Sequence, residues 1–207
     1  MDMLIDENKT NAIQRLQQIF GLESLTDIRD FARAIAFPLG NPFFYPTKSY
    51  QELYWNFGPG VGEFYNFCRN VTNLNPPAEV RQTDHELAAY TGGEQWTNLG
   101  NYAAYIKRFI LPLCTSGEFN SFDCFGTQHP DRWADTAYKL ERSYLYTTCT
   151  EVGAYQVAQP PGQKSLVSRV LSVNYTQQWC DWSFPKGKSI VGLYFDSGYR
   201  SKCRAPI

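Results

Sequence analysis

Hydrolytic chemistry needs a nucleophile, a base and a group to orient them, and bases are scarce in this chain. It holds two histidines, His85 and His129, so the commonest general base has only two places to be. His85-Glu86 is followed by Leu87, Ala88 and Ala89. The His-Glu-x-x-His pattern that sets two imidazoles on one helical face for zinc therefore fails. His85 reads as a surface residue in a first helical turn, and His129, before Pro130, as a loop residue bonded to backbone. A serine elbow needs Gly-x-Ser-x-Gly, because small flanking residues let a strained turn expose the serine oxygen. Asp196-Ser197-Gly198 lacks the first glycine. Gly58-Pro59-Gly60 and Gly92-Gly93 lack the lysine and spacing of phosphate-cradling loops. On these residues alone the chain reads as non-catalytic, with no metal or cofactor expected.

Six cysteines, Cys68, Cys114, Cys124, Cys149, Cys180 and Cys203, contain no Cys-x-x-Cys pair, so the paired spacing of a structural zinc site is absent. An even count without metal spacing suits disulfides and an oxidising compartment. Three sequons, at Asn8, Asn70 and Asn174, each followed two residues on by threonine, point the same way as glycosylation candidates. The N-terminus reads differently. Met1 to Asn8 has no basic region and no apolar stretch, so it is not a signal peptide.

Aromatic residues make up 16% of 207 residues, which excludes wholesale disorder. Lys and Arg number 19 against 20 Asp and Glu, a net charge of -1, without the basic excess of a nucleic-acid binder. No apolar run reaches the roughly 18 residues of a membrane span.

The elements that would position these groups are mostly helices. Ile13, Leu16, Ile19 and Phe20 recur at helical spacing before Gly21, a C-cap glycine. Ile28, Phe31, Ala32 and Ile35 predict a second helix, capped by Ser24 or Thr26 and stopped at Pro38. Val61, Phe64, Tyr65 and Cys68 predict a third. Thr83-Asp84-His85-Glu86 has the form of a capping box opening a helix that Gly92-Gly93 ends. Tyr102, Tyr105, Ile106, Phe109 and Ile110 form the clearest stripe, closed by Pro112. Further helices are expected from Pro130 through Trp133, Ala137 and Leu140, and over Leu166, Val167, Val170 and Leu171 after Pro160-Pro161-Gly162. Ser189 to Phe195 alone reads as a strand. Phe43, Phe44, Tyr45, Trp55 and Phe57 crowd a proline-bounded loop region, as an exposed patch or a satellite core. The class is mainly α.

Several strings are familiar together. They are Gly21-Leu22-Glu23-Ser24-Leu25-Thr26-Asp27-Ile28-Arg29-Asp30-Phe31 with Phe37-Pro38-Leu39-Gly40, then Cys124-Phe125-Gly126-Thr127, then Tyr146 to Gln156 (Tyr-Thr-Thr-Cys-Thr-Glu-Val-Gly-Ala-Tyr-Gln). With Leu166-Val167-Ser168-Arg169 and Cys180 behind them, they resemble the proline-specific serine peptidases typified by lysosomal Pro-X carboxypeptidase and dipeptidyl-peptidase II. The likeness spans about residues 10 to 180 and is most specific at Cys149-Thr150-Glu151. In that family a helical cap, inserted after the catalytic serine of an α/β-hydrolase domain, roofs the cleft.

The resemblance implies a helical cap over 1–144, a return segment into the hydrolase domain over 145–182 and a divergent tail over 183–207. The serine would lie upstream of Met1, and the aspartate and histidine downstream of about residue 185, so no triad member maps here. It implies a proline pocket drawing on Val152 and Ala154, and a disulfide between Cys149 and Cys180. That bridge would join the helix after Cys-Thr-Glu to the end of a Leu166–Leu171 helix. One further bridge would use two of Cys68, Cys114 and Cys124, and Cys203, in the divergent tail, would be an odd thiol. The implied partners are proline-containing peptides and the missing hydrolase domain, and the implied location is secreted or vacuolar/lysosomal. A non-catalytic secreted helical module that binds a peptide or protein partner is the alternative.

Overall fold

Apolar side chains recurring every three or four positions set the helices of this chain, and the groups that stop them set the loops. A computed structural model describes residues 1–39, 61–93, 96–112, 125–128, 145–152 and 157–184. Among these the chain is mainly α, with no strand. It divides into two compact units, Met1–Gly126 and Thr127–Ile207. The helix expected after Pro130, the strand at Ser189–Phe195, the aromatic cluster Phe43–Phe57, Asp196-Ser197-Gly198, His129, and Cys114, Cys124 and Cys203 lie outside the described residues.

In the first unit α1 (Asp2–Asp6) leads into α2 (Thr10–Phe20). Ala12, Leu16, Ile19 and Phe20 of α2 are buried, and Gly21 takes a left-handed conformation at φ +70°. The Gly21 amide donates to the Gln18 carbonyl at 3.0 Å and the Leu22 amide to that of Gln17 at 2.9 Å. These two bonds satisfy carbonyls that the helix end would otherwise leave open. They also drop Leu22 into the core, fully buried.

Helix α3 (Ile28–Ala36) is capped by Asp27, whose carboxylate accepts from the Arg29 amide at 2.7 Å. The expected caps, Ser24 and Thr26, are not used. Asp27 takes the position because a carboxylate answers both the amides and the positive end of the helix. Phe31 and Ala34 are fully buried. The helix ends at Ala36, in front of Pro38, and a 3₁₀ turn over Phe37–Leu39 follows.

Helix α4 (Val61–Val71) matches the third stripe. The expected capping box does not form. Thr83 is the last residue of α5 (Ala78–Thr83), and its hydroxyl donates back to the Glu79 carbonyl at 3.1 Å. Its neighbours serve other elements. Asp84 accepts from the Gly100 amide at 2.8 Å, so it caps α6 (Leu99–Tyr105) from a distance. Glu86 pairs with Arg15 of α2 at 2.8 Å. A 3₁₀ turn at Ala88–Tyr90 and left-handed Gly92 and Gly93 end this stretch.

Helix α6 widens into a π-helical turn over Ile106–Ile110. Its rings complete a chain of edge-on contacts. Phe31 meets Phe20 at 5.9 Å between centroids, Phe20 meets Tyr102 at 5.6 Å, and Tyr102 meets Phe67 at 5.8 Å. Phe67 then meets Tyr105 at 5.1 Å. Such edge contacts add about 0.5–1.5 kcal/mol each beyond burial. The Tyr102 hydroxyl donates to the Ile35 carbonyl, and burial, reinforced by Tyr105, pushes its ionisation well above the usual phenol value.

In the second unit the stretch Leu166–Leu171 is not helical. Pro161 and Gly162, with φ +89° at the glycine, turn the chain, and the Gln163 amide returns to the Pro160 carbonyl at 3.2 Å. That is the proline-then-glycine order of a type II turn. Ser165 donates to the Val167 carbonyl at 2.7 Å, and this local side-chain bond competes with a helical ladder. Leu166 is left 90% exposed. The helix begins instead at α7 (Val173–Ser183), with Ser172 accepting from the Tyr175 amide as its N-cap.

Candidate functional site

The segment that carries the family resemblance opens as a helix over residues 145–147 and widens into a π-helical turn at Thr148–Val152. A π turn inserts one residue into the helical count and so re-aims every side chain after it. Thr150 supports the turn by donating to the Tyr146 carbonyl at 2.8 Å. Cys149 bonds Cys180 of α7, with the Cα atoms 5.7 Å apart, within the span a bridge requires. This is the pair implied by the resemblance. Its geometry differs from the expected one in one respect: Cys180 sits on α7, not at the end of a Leu166–Leu171 helix.

Around this bridge the described buried groups of the second unit include polar side chains beside apolar and aromatic ones. The fully buried Thr127 hydroxyl donates to the Tyr175 hydroxyl at 3.1 Å. Thr148, Thr176 and Ser183 are buried as well. Tyr175 stacks edge-on with Trp179 at 5.0 Å, and Tyr146 with Phe184 at 5.4 Å. The Ala158 amide donates to the Leu171 carbonyl at 2.8 Å, closing the loop that delivers the chain to α7. Glu151, next to Cys149 and Thr150, is exposed.

Val152 is the last residue of the π turn, and Ala154 lies outside the described residues. His85 is exposed, and neither acidic neighbour serves it, since Asp84 caps α6 and Glu86 holds Arg15. Cys68 is a free thiol. Of the sequon asparagines, Asn8 and Asn174 are exposed and Asn70 is half-buried. Among the described residues no group of three or more His, Cys, Asp or Glu could hold a metal ion. No helix among them is long and apolar enough to cross a membrane.

Several working residues escape a reading of the sequence. Asn101 is buried, and its amide donates to the Val71 and Asn73 carbonyls at 3.0 and 2.9 Å, closing the end of α4. Nothing local marks such a distant cap. Helix α7 does carry a signal: Ser172 precedes Tyr175, Thr176, Trp179, Cys180 and Ser183, all buried at helical spacing. No protein-family model matches the chain, and no curated protein is significantly similar to it.

Proposed function

We propose that the chain is the helical cap and return segment of a proline-specific serine exopeptidase of the secretory, vacuolar or lysosomal route. The observation that carries this reading is the bridge from Cys149, inside the Cys-Thr-Glu segment, to Cys180. A covalent tie at this place anchors the turn that precedes Val152 and Ala154 in the sequence, the two positions the resemblance assigns to the proline pocket. Small apolar side chains suit a pyrrolidine ring, which offers area to bury and no N–H to pair.

The chemistry belongs to a serine, histidine and aspartate of the α/β-hydrolase domain, none of which maps onto this chain. The serine attacks the carbonyl next to proline, the histidine takes and returns its proton, and the aspartate orients the histidine. The chain by itself therefore shapes access to the cleft and does not cleave. Full-length transcript sequencing tests this: the expected transcript encodes Gly-x-Ser-x-Gly upstream of these residues and an aspartate and histidine downstream. A transcript coding for these 207 residues alone, with a stable monodisperse product, overturns it in favour of a non-catalytic binding module. In the companion assay, the purified chain releases no product from an X-Pro substrate. Release that a serine-directed inhibitor blocks would sink the assignment of the triad elsewhere.

A further inference from the structure

The three sequons look equivalent as strings, yet the fold presents them very differently. Transfer of a glycan requires the asparagine amide and the hydroxyl two residues on to be available together. On a helix, positions i and i+2 do not face each other. Asn70 lies in α4, where its Nδ2 donates to the Asn66 carbonyl at 2.7 Å and to the Asn66 side chain at 3.0 Å. The matching hydroxyl of Thr72 is spent on the Cys68 carbonyl at 2.8 Å. Asn174 is exposed, but it sits in the first turn of α7 and its Thr176 is buried.

Asn8 differs from both. It occupies the link between α1 and α2 with φ +52°, the left-handed region that asparagine enters most readily after glycine. Lys9, at φ -79° and ψ 66°, makes an inverse γ-turn. The Thr10 amide donates to the Asn8 carbonyl at 2.9 Å, which draws residues i and i+2 together. Lys9 is anchored by Glu7 at 2.6 Å and by the Tyr90 carbonyl, so the turn is held from the middle. Asn8 and Thr10 are both exposed. Of the three, this sequon alone keeps its asparagine and its threonine both in solvent.

We propose that Asn8 is the preferred N-glycosylation acceptor of the chain. The donor is an oligosaccharide linked to a polyprenyl diphosphate. Nδ2 of Asn8 forms the bond to the anomeric carbon, and the bond from that carbon to the phosphate oxygen breaks. The electron pair leaves with the polyprenyl diphosphate, while the Nδ2 proton passes to the transferase base. The sugar then projects from the α1–α2 turn without disturbing the core. This inference uses the exposure of the turn and does not depend on the peptidase reading.

The test is secretion of the full chain from a eukaryotic host behind an added leader, with intact mass read before and after a glycan-releasing amidase. The amidase converts each linked asparagine to aspartate, so peptide mapping assigns the site. Occupancy at Asn8 should exceed that at Asn70 by about tenfold. Thr10→Ala should abolish the Asn8 glycan and Thr10→Ser should keep it, both leaving Asn8 in its own backbone conformation. Where a variant is poorly exported, translation with microsomes reads the same mass shift. An unmodified Asn8, or equal occupancy at Asn70, overturns the proposal.

Discussion

In residues 1–126 the buried side chains are mostly aliphatic or aromatic and come from many elements, from Leu4 of α1 through Phe20, Phe31 and Ile106 to Phe125. In the second unit the described buried groups are a mixture: Leu145, Leu171, Tyr175, Trp179 and Phe184 beside Thr127, Thr148, Thr176 and Ser183, with a disulfide among them. The first unit thus has enough interlocking apolar area to order itself by packing. A smaller unit whose interior mixes polar with apolar groups gains less from burial and benefits more from a covalent tie that shrinks its unfolded ensemble.

The largest effect expected from this difference lies at the bridge. Replacing Cys149 and Cys180 together by serine reopens a separation of 31 residues, which in the chain-entropy model costs about 3–4 kcal/mol. The loss should fall on the second unit alone. Hydrogen exchange should show α7 amides losing protection while α2 and α3 amides keep theirs; equal loss in both would show that the two units do not differ in this way.

A smaller effect is expected in the first unit, where packing decides. Gly100, the second residue of α6, lies so close to α5 that an added Cβ would sit 1.8 Å from the Val80 carbonyl oxygen. Because that obstacle is backbone, Gly100→Ala must push α5 and α6 apart, at about 2–3 kcal/mol. Thermal unfolding followed by circular dichroism should show the unfolding of the first unit moving to lower temperature. An unchanged midpoint would mean that the crossing is loose and the first unit is less tightly packed than its aromatic chain implies.

The sequence tells most where one residue acts through its own backbone or its own stripe. Gly21 and Pro38 end their helices as expected, because left-handed φ and a missing amide are local properties. The Tyr102–Ile110 stripe also marks its helix, although the widening to a π turn leaves no trace in composition. The sequence tells least where a polar side chain has two uses. Thr83 to Glu86 spells a capping box, yet Asp84 serves a helix start 16 positions away and Glu86 an arginine 71 positions away. Leu166 to Leu171 spells a helix, yet Ser165 and Ser168 bind the adjacent backbone first. At the candidate site the cysteine pairing comes from resemblance and not from spacing, since six cysteines leave many pairings open.

The smallest effect concerns Asp27 and separates charge from hydrogen bonding at the α3 cap. Burial tends to raise its pKa, but the side-chain and backbone hydrogen bonds from Arg29, with its charge, outweigh that and hold the carboxyl below the usual aspartate value. Arg29 grips both oxygens, Nε to Oδ1 at 2.9 Å and Nη2 to Oδ2 at 2.6 Å. A group with a depressed folded pKa contributes stability that is fully present above its unfolded value and is lost as pH falls through the folded one. The Asp27 contribution should therefore be fully present and independent of pH near neutrality, and the first unit should weaken below about pH 4. Asp27→Asn keeps an N-cap acceptor and loses the charge, so its unfolding midpoint should lie slightly lower at pH 7 and approach that of the wild type as acid protonates the folded Asp27 carboxyl. Asp27→Ala also loses the acceptor and should cost about 1 kcal/mol at pH 7. Should the Asn and Ala variants behave alike, the cap would act through charge alone, and the Asp27–Arg29 amide bond at 2.7 Å would contribute nothing to the start of α3.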